Sequence, residues 1–263
     1  MTYSTLLLER GPVARVRMNR PQVFNAFDEA MIGELDAAFA ALADDAQVRV
    51  IVLEGEGKAF SAGADLQWMQ RASTASLEWN VADARCFAGM LHRIHSSPKP
   101  TVARVQGLAL GGGVGLACAC DIAIAADDAR FAVSEAKFGI LPSVIGPYLT
   151  NAVGKRQALR LALTTARIPA AEALAIGLVQ QVVAADQLDA AVAQVAAELS
   201  ANGPAALGEI KALFSQLAVG PITAEVRELT AQTIARVRGT DEAREGFAAF
   251  LGKRPPAWVP PLS

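Results

Sequence analysis

The chain has 263 residues, of which 52% are hydrophobic and 19% are charged, and its formal net charge is −2. This length permits a large buried core, and the small negative charge provides no bulk attraction to nucleic acid or to an anionic membrane. Charged residues or glycines interrupt each apolar run before it reaches membrane-spanning length, and the first residues lack a basic segment followed by an apolar one. We therefore expect a cytoplasmic protein that binds neither nucleic acid nor membranes.

The first part of the chain predicts a hairpin, a helix and a strand. Strands at 5–9 and 13–18 are separated by a Gly-Pro turn, and Asp28 can cap a helix whose apolar residues recur at helical spacing. A hydrophobic strand at 49–54 then leads into a first glycine turn at 58–66. Glycine in such a turn lets the backbone approach a ligand closely.

A second strand and glycine turn follow a mixed helical stretch. Residues 66–95 have a helical pattern in which Trp68 and Trp79 are expected to lie in the core rather than in the wall of a pocket. A buried strand, a turn at Gly111–Gly113, a packed helix and a short strand at 121–126 come next. Strands alternating with helices predict a mostly parallel sheet covered by helices, with both glycine turns at the edge where ligands bind.

The rest of the chain is predicted to be mainly helical. The expected elements are helices near 155–165, 170–175, 185–200, 204–217, 223–238 and 241–251, with one strand at 178–183. These helices have more apolar surface than an isolated tail can hide. We expect them to pack on the core or on a neighbouring subunit.

The cysteines and histidines give no sign of a disulfide or a metal site. Cys86, Cys118 and Cys120 are odd in number, and two of them fall in a segment that should be buried, so they are expected to be small core side chains. His92 and His95 could share one face of a helix as metal ligands do, but no Cys or third His completes a set. No metal is therefore expected.

The second glycine turn predicts a site, built from backbone N–H groups, that stabilises negative charge. The free N–H groups at the start of a helix point outward with the positive end of the helix dipole behind them, so they can hold an oxygen that gains negative charge. The first glycine turn could supply a second N–H group to the same oxygen. The alternative is that Gly111–Gly113 only let a helix pack closely against a sheet.

One carboxylate, that of Glu135, lies in an apolar segment before a Gly and Pro break. It could be a solvated residue or an acid at a helix start. If it instead faces the oxygen site, desolvation would raise its pKa and suit it to proton transfer. The glycines match neither the dinucleotide fingerprint nor the phosphate loop, so an oxyanion hole with one carboxylate is the chemistry left.

Several motifs occur in order along nearly the whole chain: Asn19-Arg-Pro with Asn25-Ala26, Phe60 to Leu66, Gly111 to Gly113, Cys120-Asp-Ile, Gly177-Leu-Val, Glu245-Gly-Phe and Lys253-Arg-Pro. Together they resemble the crotonase superfamily, also called enoyl-CoA hydratase/isomerases. This resemblance implies an α/β fold with a spiral of ββα repeats and an acyl-CoA site in residues 1–195, and a helical trimerisation region in residues 196–263. It also implies an acyl-CoA thioester substrate, no cofactor besides that CoA, and a homotrimer or a dimer of trimers.

The resemblance also implies roles for individual residues. Ala62 and Gly112 would supply the N–H groups of the oxyanion hole, and Glu135 would transfer the proton. The implied substrate-binding residues are Asn25, Ala26, Ala62, Gly63, Ala64, Asp65, Leu66 and Gly112.

Two positions depart from the pattern of hydratases with two glutamates. Those enzymes carry a glutamate where this chain has Gly115, and they continue with Pro-Gly and further glycines where this chain has Pro142-Ser143. Their two carboxylates hold the attacking water, whereas one carboxylate is what the double-bond isomerases of the superfamily use. Ser143 offers no carboxylate nucleophile and Glu135 is retained, which disfavours the dehalogenase and thioesterase branches.

A subgroup shares these departures. The motifs around Trp68, Gly115, Glu135 and Pro142 resemble bacterial methylglutaconyl-CoA hydratases of leucine degradation and related carboxygeranoyl-CoA hydratases. Their substrates carry a second carboxylate, which could attract an arginine or could itself help to place the water. The candidate cations are Arg71, Arg85, Arg93 and Lys137, with surface solvation as the alternative role.

The resulting hypothesis is an enoyl-CoA hydratase of the methylglutaconyl type, acting through an enolate. The alternative within enzymes is a delta3-delta2-enoyl-CoA isomerase that uses a single glutamate. A non-catalytic fold serving as an RNA-associated scaffold would need a basic surface, which the negative net charge disfavours.

Overall fold

A computed structural model describes residues 3–259, and the strands of this part of the chain form two sheets. The strands are β1 (Leu6–Glu9), β2 (Val13–Met18), β3 (Val50–Gly55), β4 (Thr101–Val105), β5 (Leu108–Leu110), β6 (Ile122–Ala126), β7 (Arg130–Ala132), β8 (Ile168–Pro169) and β9 (Gln181–Val183). The helices are α1 (Glu29–Asp44), α2 (Leu66–Thr74), α3 (Leu77–His95), α4 (Gly112–Ala119), α5 (Gly146–Thr164), α6 (Ala170–Ala175), α7 (Leu188–Ser200), α8 (Pro204–Phe214), α9 (Ala224–Arg238) and α10 (Asp241–Leu251).

The larger sheet has the strand order β1-β2-β3-β4-β6-β9, and only β1 runs antiparallel to its neighbour. Every residue of β3 is buried, as is usual for a parallel strand that is covered on both faces. The predicted hairpin and the mostly parallel sheet are therefore confirmed.

Different helices cover the two faces of this sheet. Ile51 and Leu53 point into the main core with residues of α1, α3 and α4, whereas Val50 and Val52 pack with α7, which contributes Val192. Successive side chains of a strand alternate between faces, so the continuous apolar run of β3 serves both layers.

The smaller sheet has the order β5-β7-β8, and the sequence patterns did not predict its strands. Each has only two or three residues, too few for a periodicity to be recognised. The chain passes from β4 to β5 and then into α4, and again from β6 to β7 and later into α5. Two strands in different sheets followed by a helix form the repeat that the resemblance implied.

Several helix bounds differ from those expected. The helical stretch 66–95 is two helices, because Ser76 caps α3 with its side chain after the chain leaves α2. Helix α5 begins at Gly146, earlier than expected, and it is kinked at Gly154, where φ is +73°. Trp68 lies in the core as predicted, but Trp79 is 37% exposed, so its predicted core position is wrong.

The helices α8 to α10 leave large apolar side chains in solvent. Phe250 and Leu251 on α10 are 82% and 81% exposed. Arg49 connects this region to the sheet, because its guanidinium donates to the main-chain oxygens of Ser200 and Trp258. No helix of the described residues is long and apolar enough to cross a membrane. The division at residue 195 and the contact with other subunits remain predictions.

All three cysteines lie in the described chain and are free. Burial raises the pKa of the Cys118 thiol to about 12, and burial raises that of Cys120 further. These two residues are small core side chains, as expected, whereas Cys86 is exposed.

Candidate active site

The first glycine turn is attached to the smaller sheet like an additional strand. The amide of Ser61 donates to the main-chain oxygen of Leu108, and the amide of Leu110 donates to the oxygen of Ser61, both at 2.9 Å. Because Leu110 runs directly into the second glycine turn, this pairing brings the two turns side by side.

Gly63 allows the two turns to come this close. Its φ is +86°, and a Cβ atom built on it would lie 2.5 Å from the main-chain oxygen of Leu110 and 3.2 Å from the amide nitrogen of Gly112. Any larger residue would therefore be strained and would push the turns apart. The two turns converge as the sequence predicted.

The first turn presents the amide of Ala64, not that of Ala62. The amide of Ala62 donates to the main-chain oxygen of Phe24 at 2.8 Å, so its proton is already used within the fold. The residues on either side of Ala64 form main-chain hydrogen bonds with Phe27. The amide of Ala64 itself has no acceptor among residues 3–259. The prediction that Ala62 supplies the N–H group is therefore wrong, and the available donor lies two residues further along.

The second turn presents the amide of Gly112. Gly111 has φ of +50° and donates to the main-chain oxygen of Ala132, after which α4 begins at Gly112. The first amides of a helix have no intrahelical acceptor, and that of Gly112 finds none elsewhere in the described chain. Phe27 packs against this glycine, since a Cβ atom there would lie 3.0 Å from the ring Cε1 atom.

Glu135 lies beside the same turn because of the pairing of β5 with β7. Leu110 is opposite Ala132 in this parallel pair, so both strands end at one edge and deliver Gly111 and Glu135 to neighbouring positions. The carboxyl Oε1 atom of Glu135 is 3.1 Å from the place that a Cβ atom on Gly111 would take. Glu135 therefore faces the oxygen site, as the second of the two alternatives supposed.

The carboxyl group of Glu135 is desolvated. Its Oε2 atom is buried without a hydrogen-bond partner among the described residues. Burial raises the pKa of this carboxyl above its ordinary value, and the neighbouring backbone amides of Glu135 and Ser134 offset only part of the effect. A raised pKa makes this carboxylate a better proton acceptor, and the protonated carboxyl can then return the proton.

A cavity of about 690 Å³ opens onto these groups. The predicted residues that line it are Ala26, Ala62, Ala64, Asp65, Leu66, Gly112 and Glu135. Met69, Phe138 and Ile140 form an apolar wall of this cavity that was not predicted from the sequence. Phe138 and Ile140 flank a glycine just after Glu135, and apolar residues in a short turn of that kind were the available signal.

Asn25 and Gly63 stand behind the cavity wall instead of lining it. The side-chain amide of Asn25 is fully buried and donates to the main-chain oxygens of Glu56 and Ala59, while its oxygen accepts the amide of Arg20. Asn25 thus attaches the loop before α1 to the first glycine turn. The predicted contact of these two residues with substrate does not match this placement.

Arg20 and Asp65, two charged residues of the cavity wall, are paired with each other. Arg20 donates to the main-chain oxygen of Ala26 at 2.7 Å and forms ion pairs with Asp28 and Asp65, each at 3.1 Å. Burial alone would raise the pKa of Asp65, but the amides of Trp68 and Gln67 together with Arg20 lower it. Asp65 is therefore held as a carboxylate that caps α2.

The four cations considered for a second substrate carboxylate do not line this cavity. Arg71 is paired with Glu29 and Arg93 with Asp36, and all four candidates are exposed. The alternative role, that of a solvated cation at the protein surface, therefore fits Arg71, Arg85, Arg93 and Lys137.

Gly115 has no room for a side chain. It lies on α4, and a Cβ atom built on it would lie 2.9 Å from the Cβ atom of Ile145. Ile145 is 2% exposed and is held in the core. The aliphatic side chain of Ile145 therefore occupies the space that the first side-chain atoms of a glutamate at position 115 would need.

Comparison with known proteins gives one family and close structural neighbours. The model of the family described as enoyl-CoA hydratase/isomerase matches residues 9–260. The crotonyl-CoA hydratase of Syntrophomonas wolfei is 34% identical over 261 residues, which are 97% of each chain. An enoyl-CoA hydratase structure from Shewanella pealeana has a TM-score of 0.94 at 39% identity, covering 98% of this chain and 97% of that one. The structure of Pseudomonas aeruginosa AtuE has a TM-score of 0.93 at 41% identity, covering 98% and 100%.

Proposed function

This chain belongs to the enoyl-CoA hydratase/isomerase family, and on that premise we propose that it adds water to the double bond of a 2-enoyl-CoA thioester. The crotonase-like fold expected from the sequence is confirmed, and the chain is an enzyme of this family. One observation carries the proposal. Two amides that have no acceptor among residues 3–259, those of Ala64 and Gly112, line one cavity with Glu135, whose carboxyl Oε2 atom is buried and unpartnered in the same part of the chain.

The two amides would bind the thioester oxygen. As the oxygen of water bonds to C3, the electron pair of the C2–C3 double bond moves toward C1, and the carbonyl oxygen becomes an enolate oxygen. Fixed N–H donors stabilise that charge without reorganising, and removal of one such donor typically raises the barrier by about 3 kcal/mol. Gly63 lies against the amide nitrogen of Gly112, and Ala64 lines the same cavity as Gly112, which supports this role for both amides.

Glu135 would move the proton. Its carboxylate accepts a proton from the attacking water as the C3–O bond forms, and the same carboxyl then gives a proton to C2 as the enolate returns to the thioester. One water is added and no electron is gained or lost. Burial, which raises the pKa of this carboxyl, supports both halves of this proton transfer.

The acyl chain would lie against the apolar wall formed by Met69, Phe138 and Ile140. The subgroup motifs support a methylglutaconyl chain or a related branched chain. None of the four candidate cations lines the cavity, so the binding energy for such a chain would come from its branched apolar part. A comparison of 3-methylcrotonyl-CoA with 3-methylglutaconyl-CoA then measures what the second carboxylate adds.

An isomerase is the second candidate, and the Gly115 position supports it. A site with a single carboxylate is sufficient to carry a proton from C2 to C4 of a 3-enoyl thioester. Ile145 closes the place of a second carboxylate, so this alternative remains open beside hydration.

The deciding experiment uses crotonyl-CoA, both branched thioesters and a 3-enoyl-CoA, and it follows the absorbance of the conjugated thioester. Loss of this absorbance from a 2-enoyl substrate demonstrates hydration, and its appearance from the 3-enoyl substrate demonstrates isomerisation. No change with any substrate would overturn the proposed function. We expect the same rates after treatment with a chelator, since no cofactor besides CoA is proposed.

A trimer or a dimer of trimers completes the proposal. The exposed Phe247, Phe250 and Leu251 of α10 support burial in such an assembly. Sedimentation velocity will report the mass, and a monomer at micromolar concentration would contradict this part alone.

A further inference from the structure

Ser134 lines the cavity next to Glu135, and its hydroxyl group lies near the second glycine turn. A Cβ atom built on Gly111 would lie 3.7 Å from the Oγ atom of Ser134 and 3.1 Å from the Oε1 atom of Glu135. Both oxygens therefore border the same small region next to the second glycine turn. That turn also carries the amide of Gly112.

The fold does not use this hydroxyl group. Ser134 precedes the short 3-10 helix Glu135–Phe138, a position at which serine side chains commonly accept an amide. Here the amide of Lys137 donates to the main-chain oxygen of Ser134 instead, at 3.1 Å. In residues 3–259 the hydroxyl makes no hydrogen bond, so it is available to a ligand or a water.

A water that attacks C3 needs two partners. Hydrogen bonding to a carboxylate fixes one of its hydrogens, but the molecule can still rotate about that bond until a second acceptor holds the other hydrogen. A carboxylate at position 115 would have been one such acceptor, and Ile145 closes that place. A serine hydroxyl has two lone pairs that can accept and one proton that it can donate.

We infer that Ser134 and Glu135 together hold the attacking water. This inference rests on the proposed function and names a further residue of that site. Ser134 acts here as a positioning residue. Its proton stays on its own oxygen, while Glu135 accepts the proton of water as the C3–O bond forms.

The test compares Ser134→Ala with wild type, with Ser134→Thr, and with Ser143→Ala as a matched control. Ser143 is exposed and does not line the cavity. For Ser134→Ala we expect kcat for hydration to fall about tenfold, the value of one ordinary hydrogen bond, with KM unchanged. Ser134→Thr keeps a hydroxyl group and is expected to retain more of the hydration rate than Ser134→Ala.

A second measurement separates loss of the water site from general damage. Exchange of the C2 protons of butyryl-CoA in D₂O, followed by NMR, uses the amides and Glu135 but no water at C3. We expect Ser134→Ala to exchange these protons at the wild-type rate. Equal losses of hydration and exchange, or an unchanged kcat, would overturn the role of Ser134 alone. A wild-type chain that hydrates no thioester would overturn the proposed function and this inference with it.

Discussion

Ile145 packs directly over Gly115, so that a Cβ atom on this glycine would lie only 2.9 Å from the Cβ atom of Ile145. The contact joins α4 to the residue just before α5, and both residues are buried. It explains in structural terms why position 115 carries no carboxylate. A glutamate at position 115 would need a different residue at position 145 and a different start of α5.

Gly115→Ala is therefore expected to destabilise the protein. Overpacking of a buried site usually costs about 1–3 kcal/mol, which exceeds the roughly 1 kcal/mol that alanine gains over glycine within a helix. Ile145→Ala alone is expected to cost about 2–5 kcal/mol because it leaves a cavity. The double variant should lose less than the sum of the two, as measured by urea denaturation.

Gly33→Ala is the matched control for this cycle. Gly33 is an exposed residue of α1 with no atom within 4 Å of the added Cβ, so we expect the substitution to stabilise the protein by about 0.5–1 kcal/mol. Strictly additive losses for Gly115→Ala and Ile145→Ala would show that the two side chains do not compete for the same space.

Glu135→Gln is expected to reduce kcat at least about a hundredfold, because a positioned proton-transfer group typically contributes that much or more. Binding of the acyl-CoA should change little, since glutamine has nearly the same shape. In the wild type the acid limb of the pH–rate profile should lie above pH 4.5, since burial raises the pKa of Glu135 above that ordinary value. Steady-state rates will check the loss of kcat and the pH–rate profile, and calorimetry with a saturated acyl-CoA will check the binding. Full activity of this variant would remove Glu135 from the mechanism.

The same shift predicts how stability depends on pH. A carboxyl group whose pKa is higher in the folded state than in the unfolded state binds its proton more tightly when folded. Above its unfolded value near 4.5, the stability of the wild type relative to Glu135→Gln should therefore fall as the pH rises, until it levels off above the folded pKa. Thermal unfolding of both proteins across this range will test the sign. A relative stability that increases with pH would contradict it.

The order of strands and helices could be predicted because it depends on local patterns. The capping of α1 by Asp28, the strand β3 and the bounds of α10 all follow from residues near each other in the chain. Glu135 could be recognised as an acid in an apolar segment. Its nearness to Gly111 depends on the pairing of β5 with β7, which are too short to show a pattern.

The sequence of the first glycine turn does not reveal which of its amides is left without an acceptor. Ala62 and Ala64 are identical residues on either side of Gly63, and only the pairing of this turn with residues 24–27 decides which amide is left free. That pairing joins segments almost forty residues apart. The same is true of Ile145 above Gly115, thirty residues later in the chain.

Replacement of single amides by esters will test the assignment of Ala64. An ester at position 64 removes an N–H group that has no acceptor in the fold, so we expect little loss of stability and about a hundredfold or greater loss of kcat. An ester at position 62 removes the bond to Phe24, so we expect about 1 kcal/mol of destabilisation and nearly normal kcat. Each ester also weakens the preceding carbonyl, and both of those carbonyls accept one hydrogen bond, so the pair is matched. The reverse pattern of activities would restore Ala62 as the donor.

Glu245 attaches the end of the described chain to α10. Its carboxylate accepts hydrogen bonds from both terminal nitrogens of Arg254, at 2.6 and 2.8 Å, and from the amide of Ala257, at 2.8 Å. The Arg254 hydrogen bonds and then the Ala257 amide lower the pKa of Glu245 to about 2, so the folded state favours its carboxylate. Glu245→Gln should therefore speed hydrogen exchange at the Ala257 amide and destabilise the protein at neutral pH. The stability difference from wild type should shrink as the pH falls from about 4.5 toward 2, because the wild-type carboxylate is then protonated. Glu78→Gln, at an exposed glutamate in the first turn of α3, is expected to leave exchange at Ala257 unchanged, and a pH-independent effect of Glu245→Gln would contradict the role given to its charge.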